Sequence, residues 1–122
     1  SKALASSHLF PEMNHNEIVG WDAQPEFSAK TAAVFLRDRD DHPAVSKRVE
    51  LNQTILRGKG LAVHEVWSQG ESRVARLFSL VCLGDYVSYY LALLYGIDPT
   101  PVEIIEKLKR NLAASGFPLP RE

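Results

Sequence analysis

Apolar residues fill one stretch of this chain on every side. Between residues 77 and 95, Leu77, Phe78, Leu80, Val81, Leu83, Val87, Leu91, Leu93 and Leu94 leave no polar face on a 3.6-residue wheel, and Asp85 is the only charge. Ser68-Gln69-Gly70-Glu71 has the Ser-x-x-Glu spacing of a capped start, which predicts a long helix from there to Gly96. With no face suited to water, this helix is expected to be buried. A membrane span is the competing reading, but Asp85 near a bilayer centre costs about 2.5–3.5 kcal/mol, and no basic flank marks an inside end. Gly84 in mid-helix is expected to let another backbone or helix cross.

The shorter patterns predict alternating elements. Asn14 and Glu17 repeat the cap spacing, which puts His15 in the first turn of a short helix. Residues 22–30 read as a loop. Residues 31–36 (TAAVFL) are an apolar run stopped by the charged cluster 37–41, as in a fully buried strand. Pro43 opens a helix with Asp40 and Asp41 near its positive end. Val45, Val49, Leu51, Ile55 and Leu56 form its apolar side, and Gly58 and Gly60 stop it. Residues 61–67 (LAVHEVW) are a second strand. Thr100-Pro101-Val102-Glu103 combines a cap threonine, a first-turn proline and a glutamate at the third position. Ile104, Ile105, Leu108 and Leu112 then make a buried stripe, and Gly116, Pro118 and Pro120 close the chain.

Strands alternating with helices predict an α/β fold, a three-layer sandwich with a parallel sheet. Two strands are few for such a sheet, and residues 1–10 read as the tail of an element begun elsewhere. Residues 1–122 are therefore expected to be the C-terminal portion of a larger α/β domain. Size and composition agree with one core: 122 residues, 45% hydrophobic. Fourteen basic residues against fifteen acidic ones give no electrostatic footprint for nucleic acid or an anionic membrane. The lone Cys82, inside the apolar helix, excludes an internal disulfide and is expected to be buried packing in a reducing cytoplasm.

His15 is the leading candidate for chemistry. At a helix start the positive dipole end disfavours imidazolium, so a neutral ring able to move protons is one reading, and a capping or surface histidine is the other. Glu17 is open to the same question, with the capping-box role favoured. Thr100 and Lys107 stand seven residues apart, two helical turns along one face, where a hydroxylated or anionic ligand could be received. The plainer alternative makes Thr100 a cap and pairs Lys107 with Glu103. Asp38, Asp40 and Asp41 read as a solvated loop and helix cap, without the histidine or cysteine spacing of a transition-metal site. His8, His42 and His64 have no partner pattern in the sequence.

Residues 11–21 (PEMNHNEIVGW) and 84–93 (GDYVSYYLAL), with Asp98-Pro99-Thr100-Pro101-Val102, resemble the C-terminal sugar-isomerase (SIS) domain of bifunctional phosphoglucose/phosphomannose isomerases. The resemblance runs from Pro11 to about Leu112. It implies interconversion of glucose 6-phosphate or mannose 6-phosphate with fructose 6-phosphate through a cis-enediol, without metal or organic cofactor. It further implies ring opening by His15, a sugar site lined by Thr100, assistance to ring opening by Lys107, and a homodimer with shared active sites.

The resemblance places the catalytic glutamate about sixteen residues before the motif histidine, ahead of Ser1, and the phosphate-binding residues in an N-terminal SIS domain outside this sequence. The 122-residue chain alone is accordingly expected to be inactive. A SIS module that binds a sugar phosphate for regulation, or only dimerises, is the rival reading. The intact residues 14–17 and Thr100 weigh against it.

Overall fold

The structure, a computed structural model, describes residues 5–21 and 25–116. A 3-10 turn, Glu12–Asn14, leads into α1 (Asn16–Gly20), α2 (Pro25–Ser28), β1 (Ala32–Arg37), α3 (Pro43–Gly58), β2 (Ala62–Trp67), α4 (Arg73–Leu94) and α5 (Glu103–Ala114). Described residues 5–87 and 88–116 fall into two compact units. The expectation for Pro118 and Pro120, and that for residues 1–10 in part, lies outside the described residues. So does residue range 22–24 of the expected loop, the rest of which contains α2.

The β-α-β core of the first unit is an α/β arrangement with a parallel pair of strands. β1 and β2 run in register from Ala32 opposite Ala62 to Arg37 opposite Trp67. Pro43 occupies the first turn of α3, and His42 caps it, its Nδ1 accepting the Ala44 amide at 3.2 Å. The other end closes on Gly60, at φ +87°: the Leu61 amide reaches the Leu56 carbonyl and the Gly60 amide reaches that of Arg57. This closure stacks Leu61 on the helix it terminates. Leu56 and Leu61 join Met13, Phe35 and Val49 in the core, flanked by Phe10, Ile18, Trp21, Ala33, Val45 and Val63.

The buried side of α3 differs from the expected one. Val49, Asn52, Gln53 and Leu56 are buried, whereas Leu51 and Ile55 are exposed. Asn52 takes an inward position because its side-chain amide donates to the Arg48 carbonyl at 2.7 Å. β1 is likewise not fully buried. Phe35 and Arg37 point into the covered face, and Val34 and Leu36 on the other side remain exposed, following the two-residue alternation of a strand with one face packed.

The expected start of α4 is displaced. Ser68 donates its hydroxyl to Asp38, Gly70 turns the chain at φ +120°, and the Ser72 hydroxyl instead accepts the Ala75 amide at 3.1 Å. Along α4 only Arg76 and Ala92 are buried. Leu77, Phe78, Val81, Leu83, Val87, Leu93 and Leu94 are exposed, Cys82 is exposed, and open space surrounds Gly84. The apolar sequence therefore builds a helix as expected, but nothing among the described residues covers it. By length and composition α4 is also the one helix among them able to cross a membrane. The stripe on α5 has the same fate: Ile104 is 86% exposed, and Ile105, Leu108 and Leu112 are exposed with it.

Candidate active site

His15 precedes α1 as its cap residue, with a backbone that is neither helical nor extended (φ −94°, ψ −131°), and makes no side-chain cap hydrogen bond. Its side chain is exposed and has no hydrogen-bond or ion-pair partner among the described residues. The capping box expected from Asn14 and Glu17 does not form. Glu17 instead places Oε2 2.8 Å from Nδ1 of His8, and both Asn14 Oδ1 and Glu17 Oε1 are buried without a hydrogen bond. Two residues before His15, Met13 is buried in the core and fixes one side of the turn.

Thr100 and Lys107 belong to the second unit. Thr100 does not cap α5, which starts at Glu103 with Val102 at the cap position. The Thr100 amide donates to Asp98 Oδ1 at 2.9 Å, so the Asp98 side chain folds the turn and draws Thr100 out of the helix. The expected seven-residue helical spacing to Lys107 therefore does not apply. Lys107 is exposed on α5, and the expected pair with Glu103 is not made. On α5, Arg110 instead pairs with Glu106 at 3.9 Å.

A second polar assembly went unread in the sequence. At the C-terminal ends of β1 and β2, Arg37 (4% exposed) donates Nε to Asp41 at 2.9 Å and Nη1 to Glu65 at 2.7 Å. Its guanidinium stands 4.6 Å from the Trp67 ring centroid. Arg76 (5% exposed) donates Nε to Asp38 at 2.8 Å, Nη2 to Asp40 and Nη1 to the Glu71 carbonyl. Arg76 and then the Ser68 hydroxyl hold the Asp38 carboxyl far below the usual carboxylate range, and Asp38 in turn raises Arg76. Asp38, Asp40 and Asp41 are thus partners of buried arginines, beyond the solvated loop and cap expected of them. With four carboxylates set around two guanidinium groups, the cluster does not offer an anion site. No group of three His, Cys, Asp or Glu side chains able to hold a metal occurs among the described residues.

Residues 1–112 match the family model for the bacterial phospho-glucose isomerase C-terminal SIS domain. The chain belongs to this SIS family. The chain is also similar, over most of its length, to longer curated proteins. It is 44% identical over 113 residues to a bifunctional phosphoglucose/phosphomannose isomerase of Caldicellulosiruptor bescii, covering 93% of this chain and 33% of the relative. The protein of that name from Aquifex aeolicus is 41% identical over 112 residues, 92% of this chain and 35% of the relative. That from Thermoplasma volcanium is 39% identical over 115 residues, 93% and 35%. This SIS chain thus spans about a third of the length of the curated relatives it matches. No significant match to a solved structure was found.

Proposed function

We propose that this SIS chain is part of an enzyme interconverting glucose 6-phosphate or mannose 6-phosphate with fructose 6-phosphate. The observation that carries the reading is the exposed imidazole of His15, unengaged by any other side chain among the described residues, inside the segment matched by the family model. In this reading His15 gives a proton to the ring oxygen as the anomeric hydroxyl passes its own to a water molecule, and the bond between the anomeric carbon and the ring oxygen breaks to leave the open-chain sugar. A carboxylate base from polypeptide outside these 122 residues then moves a proton between C2 and C1 through a cis-enediol. The hydroxyl of Thr100 lines the sugar, and the ammonium of Lys107 assists ring opening. No metal or organic cofactor takes part, and a homodimer in the cytoplasm, off the membrane, completes the sites.

The test is a coupled assay of fructose and glucose 6-phosphate interconversion by the full-length protein. A His15→Ala variant is expected to lose about 10²- to 10⁴-fold in kcat, the range for a positioned acid or base. Unchanged turnover removes His15 from the mechanism. The 122-residue chain alone is expected to be inactive in the same assay.

A further inference from the structure

We propose that His8 is a positioning residue for this reaction: it holds Glu17, and through Glu17 the turn that presents His15. The inference rests on the isomerase reading above. Its starting point is how little else fixes that turn. α1 has five residues, none buried, and no side chain caps its start, and a helix that short does not hold itself together. Its attachments are Met13 in the core before His15, the partly buried Ile18 and Trp21 after it, and the His8–Glu17 pair.

Both nitrogens of the His8 ring are engaged. Nδ1 lies 2.8 Å from Glu17 Oε2, and Nε2 lies 3.0 Å from the Ser6 hydroxyl. The Nδ1–H tautomer satisfies the two contacts together, donating to the carboxylate and accepting from the serine. The segment bearing His8 is itself anchored. The Phe10 ring meets Phe35 of β1 at 6.0 Å between centroids, and the Met13 amide donates to the Leu9 carbonyl at 2.9 Å. His8 therefore ties α1 to a part of the chain already fastened to the sheet. One residue separates Glu17 from His15, so the turn is held at Met13 on one side and at Glu17 on the other. The pair is partly exposed, 39% and 32%, and adds little to global stability. Its loss is read in placement of the catalytic group.

The experiment uses three variants of the full-length protein. An asparagine amide reaches where His8 Nδ1 sits, and a glutamine amide reaches where Nε2 sits. His8→Asn therefore keeps the donor to Glu17, whereas His8→Gln and His8→Ala lose it. The expected result is a fall in kcat of about tenfold in His8→Ala and His8→Gln, as a modest misplacement produces. KM and thermal midpoint are unchanged, and His8→Asn stays near wild-type turnover. In a Glu17→Ala background, His8→Ala should cause no further loss. Three equal losses, three unchanged rates, or additive effects with Glu17→Ala overturn the inference while leaving the isomerase reading in place. An inactive wild-type protein overturns that reading, and this inference with it.

Discussion

Two polar regions of the same compact unit are built on opposite plans. At the ends of β1 and β2, two buried guanidinium groups are ringed by Asp38, Asp40, Asp41 and Glu65, and the acceptors are shared further with Ser68 and Gln53. Around His15 the ring is exposed, and two neighbouring acceptors are buried with nothing donating to them. The first region has completed its hydrogen bonds within the chain, as buried charge must. The second has not, and a buried acceptor without a donor costs about 1–3 kcal/mol. Asn52 Oδ1 on the packed side of α3 is buried without a donor as well, so the contrast lies in the exposed imidazole of His15 against two buried, fully ringed guanidinium groups.

Exchanging the roles of the two regions tests this contrast. The largest effect belongs to His15→Ala, which is expected to remove about 10²- to 10⁴-fold of kcat while leaving the thermal midpoint almost unchanged, since the side chain has no hydrogen-bond or ion-pair partner among the described residues; a large drop in midpoint would place His15 with the structural groups. Next is Arg37→Ala, which takes the guanidinium from Asp41 and Glu65, leaving them only the Asp38 amide and Gln53, and bares Trp67. Breaking a buried pair costs 3–5 kcal/mol, and with partly exposed acceptors about 2–4 kcal/mol is expected in a denaturant titration. The folded remainder should keep wild-type KM. Asp38→Asn is subtler and depends on acid. The depressed folded-state value means that the Asp38 carboxylate contributes stability above the ordinary carboxylate range, lost as pH falls through and below it. Between about pH 6 and about pH 3 the variant's midpoint should therefore fall less steeply than that of the wild type. The smallest effect is that of Gly60→Ala, which forces a side chain into a left-handed turn at a cost of about 1–2 kcal/mol, read as an equilibrium shift without any change in turnover.

The parts legible in the sequence were those set by local chemistry. Pro43 and Gly60 mark the ends of α3, the apolar runs mark both strands, and their alternation with helices announced parallel pairing. Burial was misjudged where it depends on what lies beside an element. α4 and α5 are as apolar as predicted, yet their apolar residues are exposed, because hydrophobicity states a need for cover without saying which polypeptide supplies it. Cap assignments failed where a long-range partner outbid the local one. Ser68 is drawn to Asp38 thirty residues away, and Glu17 to His8 across the 3-10 turn. Thr100 fails differently, since Asp98 captures its amide first. For the candidate site, the motif around residues 14–17 located His15. The His8–Glu17 contact carried no periodic or spacing signal, because the segment of His8 is neither helix nor strand.

The uncovered α4 carries the chain's single cysteine on its surface, in a shallow groove of about 270 Å³ with Trp67, Leu83 and Tyr86. One thiol in an otherwise thiol-free polypeptide is a ready-made chemical reporter. Its rate of reaction with an aromatic disulfide reagent, compared between this 122-residue chain alone and any longer polypeptide that contains it, would register directly whether other sequence comes to rest upon that helix.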